Sequence, residues 1–370
     1  MSSASSRPQL GAMEKIIRVA VDRGATDLHI KAGDVFRARI EGRLVPLTRQ
    51  RLTPDQTRAI ALHLLHSDEA RARIDRLTDF DCSWGQPGLG RFRVNLLRQR
   101  SSLMIVMRVI PFAVPTLADL GAPDALADAA SAERGLIIVA GTGGSGKSTT
   151  IAAMVDHINR QSHRHVVTIE NPIEFLHRDL HSSITQREVG VDTESVAVGL
   201  LAALRQDPDV VVVGEVPDLD TLDVALKAAE TGRLVLLEMV APDVVGAITR
   251  AQAFFPPEER EIGRLRLAEN LRMVSAQQLL PRADGPGHTA AFEILTVAEG
   301  ARERLRATEA AAEVRELLAA SSDGAQPFAA DLDRLRGEGR ISDESHRIAN
   351  ASQGVVTQSR AERRVRGRRS

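Results

Sequence analysis

The sequence predicts an α/β protein built in two parts, a small α+β domain and a larger domain with a mostly parallel sheet. Three observations carry this. The chain has 370 residues, and single hydrophobic cores stop growing at about 250–300. The spacing of apolar runs changes character after the first third of the chain. Two prolines, Pro111 and Pro115, stand where it changes and mark a connection rather than an element.

Residues 1–12 are Ser-rich and read as a disordered start. From Met13 the pattern MEKIIRVAVDRG reads as an amphipathic helix, with Ile16, Ile17, Val19 and Ala20 apolar and Gly24 stopping it. Short runs of β character follow at 27–31, 36–40, 43–47, 92–97 and 103–110. Between them, 53–65 reads as a helix with Thr53 as cap before Pro54. These make a small α+β domain over 13–112, and 113–122 reads as a linker. Beyond it, continuous apolar runs at 136–140, 166–170, 210–214 and 234–237 alternate with helical stretches. Such runs predict strands buried on both faces of a sheet, hence an α/β domain over 123–345. Helical pattern is expected over 257–280 and 312–318, with a further short helix at 328–336.

The composition, 43% hydrophobic and 26% charged, is that of a globular chain. A net charge of −1 with 3% aromatic residues and no Tyr argues against a nucleic-acid partner, because neither a broad basic surface nor stacking platforms are present. The final stretch 346–370 reads as a basic disordered tail, with Arg360, Arg363, Arg364, Arg366, Arg368 and Arg369 near its end. A solvated end and a contact with an acidic lipid or partner are both open. One cysteine, Cys82, excludes an internal disulfide framework. The start lacks an apolar core segment, and no run approaches the ~18 residues that span a bilayer. A cytoplasmic protein without direct membrane insertion is expected.

The sharpest chemical signal is Gly141-Thr142-Gly143-Gly144-Ser145-Gly146-Lys147-Ser148, with Thr149 following. An apolar run precedes it and a helix-compatible stretch follows, the context this pattern requires. Glycines let backbone N–H groups curl around phosphates, and a helix N-terminus adds partial positive charge. Lys147 would reach the β- and γ-phosphates, and the Ser148 hydroxyl would bind Mg²⁺. ATP and Mg²⁺ are the expected ligands. An ordinary glycine-rich turn would not need Lys followed by Ser. A second signal is Val210-Val-Val-Val-Gly-Glu215, four valines ending in an acid where α/β sheets bind ligands. Glu215 is expected near Mg²⁺ and in catalysis, against the plain alternative of a first exposed residue after a buried strand. A third is Thr168-Ile-Glu-Asn-Pro-Ile-Glu-Phe175, in which Pro172 forces a turn and Glu174 projects. Glu174 could orient the attacking water, or simply lie on a solvated loop.

In this order, these segments resemble the secretion ATPases of type II secretion and type IV pili, and within them the twitching-motility ATPases that retract the pilus. GATDLHIKAG at 24–33 and GRFRVNLLRQR at 90–100 are similar to that family's N-terminal domain. GTGGSGKSTT, TIENPIEF, ALRQDPDVVVVGE, AAETG, FFPPEER at 254–260 and AAFEIL at 290–295 follow its motor domain. The resemblance covers about 13–343. It implies a PAS-like N-terminal domain, a RecA-like P-loop ATPase domain and a homo-hexameric ring with ATP between domains. It also implies an inner-membrane pilus or secretion platform as partner. By resemblance Glu174 is the catalytic glutamate of the acidic box and Glu215 the Walker-B glutamate. Arg91, Arg93 and Arg108 match small-domain arginines, some of which approach the phosphates in the family; ion pairing on a strand surface is the equal alternative.

The departures from the family pattern are specific. Glu170-Asn171-Pro172 stands for Glu-Asp-Pro, and Val216-Pro217-Asp218 replaces an apolar residue followed by Arg-Asp. The histidine box would begin Thr-Gly-His and hold a second His seven residues on. Here it reads Thr231-Gly232-Arg233 with Val240 at the second position, and Glu238-Met239-Val240-Ala241 replaces Thr-Leu-His-Thr. GARERLRA at 300–307 departs from a helix that contacts the machinery in the family. The expected function is an ATP-hydrolysing motor subunit of a pilus or secretion machine, its turnover weakened by the altered box. The alternative is a degenerate accessory paralogue that binds ATP and works in a mixed ring with an active relative.

Overall fold

The structure is a computed structural model and describes residues 7–65, 67–110, 113–307, 310–321 and 324–351. The start before Arg7, Pro111 ahead of the expected linker and the arginine-rich end lie outside these residues, and the expected tail is corrected at its start, since 346–351 are helical and bury Ala349 in a hydrophobic core. Two compact units are present. One runs to Ala113 and takes in the segment Pro172–Leu176; the other holds the chain from Val114 onward apart from that segment.

In the first unit, helix α1 (Arg7–Asp22) starts six residues before the expected Met13, within the stretch read as disordered. Met13, Ile17 and Ala20 are buried, which is the i, i+4, i+7 stripe the pattern predicts. Strands β1 (Ala25–Lys31), β2 (Arg37–Ile40) and β3 (Arg43–Pro46) follow. Helix α2 (Pro54–Leu64) is closed by a reciprocal cap: Gln56 N donates to Thr53 Oγ1 at 3.2 Å, and Thr53 N donates to Gln56 Oε1 at 2.9 Å. After the short α3 (Asp68–Ala72) come β4 (Asp79–Gln86), β5 (Gly90–Gln99) and β6 (Ser102–Ile110). The sheet is antiparallel in the order β3-β2-β1-β6-β5-β4. Strand β4 (DFDCSWGQ) carries four polar side chains and gave no apolar run to read.

The second unit opens with α4 (Asp124–Ala130) and β7 (Gly135–Gly141), then α5 (Lys147–Gln161), β8 (His165–Glu170) and β9 (Ser183–Glu188). Then come α6 (Val196–Ala203), β10 (Val210–Glu215), α7 (Leu219–Glu230), β11 (Leu234–Val240), α8 (Val244–Ala253) and α9 (Arg260–Asn270). The chain continues through β12 (Leu271–Pro281), β13 (His288–Thr296), α10 (Glu299–Arg306), α11 (Ala310–Ala320), β14 (Ala325–Gln326) and α12 (Phe328–Gly337). The sheet order is β14-β13-β12-β7-β11-β10-β8-β9. Six strands from β12 to β9 are parallel, and β13 and β14 are antiparallel at one edge. The sheet is covered on both faces, as continuous apolar runs require. Leu136, Ile138 and Ala140 of β7 point into one core, and Ile137 and Val139 into the other. Leu117, inside the stretch expected to be linker, is buried in the second of these cores.

One expected element is corrected. The helix anticipated over 257–280 ends at Asn270, and β12 occupies the rest. This strand lies inside the sheet between β7 and β13, so Leu271, Met273, Val274, Ser275, Ala276 and Gln277 are all buried. Burial on both faces erases the alternation that identifies a strand, and length alone then favours helix. Among the described residues no helix is long and apolar enough to cross a membrane.

Candidate phosphate-binding site

The site is built on the junction between β7 and α5. The backbone at Gly144 and Gly146 has φ of +74° and +89°, a left-handed conformation that side chains resist. A Cβ at Gly141 would lie 2.1 Å from Ser145 Oγ and 2.8 Å from the Gln277 carbonyl, so the loop closes tightly only over glycine. Gln277 of β12 pins it from the side, its Nε2 donating to the Ser145 carbonyl at 2.8 Å. Thr142, Gly143 and Gly144 are exposed, while Ser145 and Lys147 are buried. Helix α5 starts without any side-chain cap. Its first N–H groups therefore keep their capacity for an outside acceptor, with the positive end of the helix dipole behind them.

Lys147 is 5% exposed. Its Nζ donates to the Thr142 carbonyl at 3.0 Å and lies 3.5 Å from Glu238 Oε1. The Ser148 hydroxyl donates to Glu238 Oε2 at 2.9 Å. Glu238 belongs to β11, the strand between β7 and β10. It stands in register beside Glu215, the exposed last residue of β10. The loop residues 141–149 and Glu215 are thus gathered at the C-terminal edge of one parallel sheet. Glu174 is exposed on Pro172–Leu176, the segment that groups with the other unit. Glu170, at the end of β8, is held internally: the Thr168 hydroxyl donates to it at 2.6 Å and Gln186 Nε2 at 3.0 Å.

Glu238 was missed as a site residue. Its departure from the family pattern was visible but read only as a loss. The available signal was a lone acid in LVLLEMV, an otherwise apolar strand, near the strand end where parallel sheets bind ligands. The two histidine-box positions also prove to be far apart. Val240 pairs with Gly141 beside the loop, whereas Leu234 pairs with Gly135 at the opposite edge. Arg233 precedes Leu234, so roughly 20 Å of strand separates it from the loop. Its Nη1 donates to the Thr231 carbonyl at 3.1 Å. A role for Arg233 at the phosphates of its own subunit, or pairing with Glu238, is therefore excluded. In the first unit, Arg108 Nε donates to Asp27 Oδ1 at 3.1 Å and Arg91 Nη2 to Ser83 Oγ at 3.1 Å, while Arg93 is exposed.

The residues present fit a phosphate chain with a hard cation. The loop is a cradle that a Cβ would fill, Ser145 Oγ is buried without a hydrogen-bond partner, and the donors offered to a metal are all oxygens. Among the described residues no group of three or more His, Cys, Asp or Glu side chains could hold a metal alone, and a hard cation such as Mg²⁺ takes water and phosphate oxygens beside one or two protein oxygens.

A loop of this kind at the edge of a parallel core, in a chain that also folds a separate antiparallel domain, defines a two-domain protein with a RecA-like motor core. The chain belongs to the family described as type II/IV secretion system protein, whose profile matches residues 3–361. A Pseudomonas aeruginosa protein described as the type IV pilus ATPase PilU is 38% identical over 331 residues, 89% of this chain and 86% of its own length. The type IV pilus retraction ATPase PilT of the same organism is 35% identical over 333 residues, 90% and 96% of the two chains. A crystal structure of the pilus retraction motor PilT with bound ADP matches at TM-score 0.82 and 37% identity, covering 90% of this chain and 95% of that one.

Proposed function

We propose that this chain is an ATP-hydrolysing motor subunit of a type IV pilus or secretion machine. The observation that carries it is the uncapped start of α5, with buried Lys147 and Ser148 at its first turn and two carboxylates on the neighbouring strands. The relatives named for pilus motors support it over most of their length and favour the motor over a degenerate accessory paralogue.

In this reading the loop N–H groups of 142–149 and Lys147 hold the β- and γ-phosphates. Phosphoryl transfer needs little covalent help, so positioning and charge stabilisation do most of the work. Ser148 and Glu215 hold Mg²⁺, which supplies positive charge beside the phosphates when bound. Glu215 and Glu174 orient the attacking water. The nucleoside end would lie in the adjoining cleft of about 200 Å³ between Gly146, Thr149, Gln277 and Arg282. Val240, beside Gly141, offers no donor to developing charge, so turnover is slow relative to ATP affinity. Subunits assemble head to tail into a homo-hexameric ring, alone or mixed with a related active ATPase, at the cytoplasmic face of an inner-membrane platform.

Steady-state hydrolysis by the purified protein tests the reading, with Glu215→Gln as control. Mg-ATP-dependent phosphate release that Glu215→Gln suppresses while nucleotide still binds is expected. Binding without any turnover, alone or with platform protein, would return the chain to an accessory role.

A further inference from the structure

The groups that would face phosphate and metal in a loaded site are turned toward a carboxylate of the protein itself. Glu238 Oε2 accepts from the Ser148 hydroxyl at 2.9 Å and Oε1 lies 3.5 Å from Lys147 Nζ. Lys147 and Glu238 are 5% and 15% exposed at their side chains, so water screens this charge poorly. Glu215 stands beside Glu238 on the next strand and adds a second negative charge. The position is set by the fold: β11 is hydrogen-bonded to the loop strand β7 along its whole length, which carries Glu238 up to the first turn of α5.

We propose that Glu238 is a metal-dependent gate on nucleotide binding. The proposal rests on the ATP reading and concerns the same site. Without a divalent cation, a phosphate chain entering the loop must pull Lys147 and Ser148 away from Glu238. It must then share a little-exposed space with that like charge. Both effects oppose binding. With the cation present, the sign of the Glu238 contribution reverses, because carboxylate and phosphates attract the same ion. A neutral side chain at this position would bind metal-free and metal-loaded nucleotide more evenly. Glu238 therefore excludes bare nucleotide and passes the metal complex, a discrimination that operates by repulsion of the wrong ligand as much as by attraction of the right one.

The test is the dissociation constant of fluorescent ADP and of a fluorescent non-hydrolysable ATP analogue, each in Mg²⁺ and in EDTA. The full chain is compared with Glu238→Gln and Glu238→Thr. The native protein is expected to bind at least about tenfold more weakly in EDTA. Both substitutions should shrink that ratio by about tenfold, chiefly by strengthening binding in EDTA. Equal affinity of the native protein in the two buffers overturns the gate and needs no variant to be folded. So does an unchanged ratio in variants that melt normally. If the native protein binds nucleotide in neither buffer, the ATP reading itself falls and takes the gate with it. Binding that survives with an unchanged ratio removes only the gate.

Discussion

Two helices of the same domain begin in opposite ways. At the N-terminus of α8 the protein supplies its own acceptors: Asp243 Oδ1 accepts from Gly246 N, and Glu293 Oε2 accepts from Val244 N at 2.7 Å. At the N-terminus of α5 there is a glycine in left-handed conformation and no side-chain cap. Both helices present the same orphan N–H groups and the same dipole. The difference is in what fills the site. The first terminus is satisfied by folding and contributes stability, whereas the second is left for something from outside. Glu238 stands between the two cases: it accepts from the Ser148 hydroxyl in the first turn of α5.

The largest expected effect is at the open terminus. Lys147→Ala should abolish Mg-ATP binding, measured by titration calorimetry, while leaving the protein folded. Unchanged ATP affinity would show that α5 is simply a poorly capped helix. Next in size is Val240→His, which puts a donor beside Gly141 at the loop. Well-placed donors are worth roughly 10²–10³ in rate, so turnover should rise clearly at unchanged ATP affinity. A fall in turnover would show that Val240 is not a deficit.

At the filled terminus the expected effect is pH-dependent stability. Burial raises the Glu293 carboxyl to about 7 against an ordinary value of 4.5, with Asp243 adding to the rise and hydrogen bonds from Val244 and Phe328 opposing it. The folded state then holds a proton that the unfolded state has released. The Glu293 contribution to stability is therefore full below about pH 4.5 and declines as pH rises toward 7. The stability lost across that range is on the order of 3 kcal/mol at most. Glu293→Gln should flatten the melting temperature between pH 5 and 7.5. A slope that persists in the variant would place its origin elsewhere. Asp243→Ala should cost about 1 kcal/mol, the usual loss of an N-cap, with nucleotide affinity unchanged. Loss of ATP binding in that variant would mean that the two termini are not independent.

This contrast was half legible in the sequence. The strand before Gly141 and the strand before Glu215 are short, wholly apolar and followed by special residues, so their ends were visible and the binding edge with them. Asp243 and Glu293 come from distant segments and meet only in the fold, so nothing local announces that α8 is filled. Strand β12, which pins the loop through Gln277, was read as helix because both its faces are buried. Glu238 was seen as a missing Thr rather than a present acid. Its contact with Ser148 spans 90 positions and follows from the strand order, which places β11 directly beside β7; local pattern does not encode that adjacency.

The smallest expected effect belongs to Arg233, and it sharpens the comparison most. On pattern alone, Arg233 and Val240 are equivalent departures, two histidines replaced. On the sheet they lie at opposite ends of β11, since Leu234 pairs with Gly135 and Val240 with Gly141. With about 3.3 Å of rise per residue, the six steps between those pairs leave Arg233 roughly 20 Å from the loop, beyond the reach of any side chain. What Arg233 does locally is close the turn after α7, through Nη1 to the Thr231 carbonyl at 3.1 Å. A single hydrogen bond of this kind contributes about 0.5–1.5 kcal/mol, and least where water can replace it. Arg233→Ala should therefore lower stability by under about 1 kcal/mol. Nucleotide affinity of the isolated subunit should stay the same within error, as should its dependence on Mg²⁺. Measuring both in monomeric protein, at concentrations below any assembly, keeps a neighbouring subunit from contributing. A large loss of affinity there would require the two ends of β11 to communicate, and the rigid register of β7, β11 and β10 offers no movable element to carry such a signal.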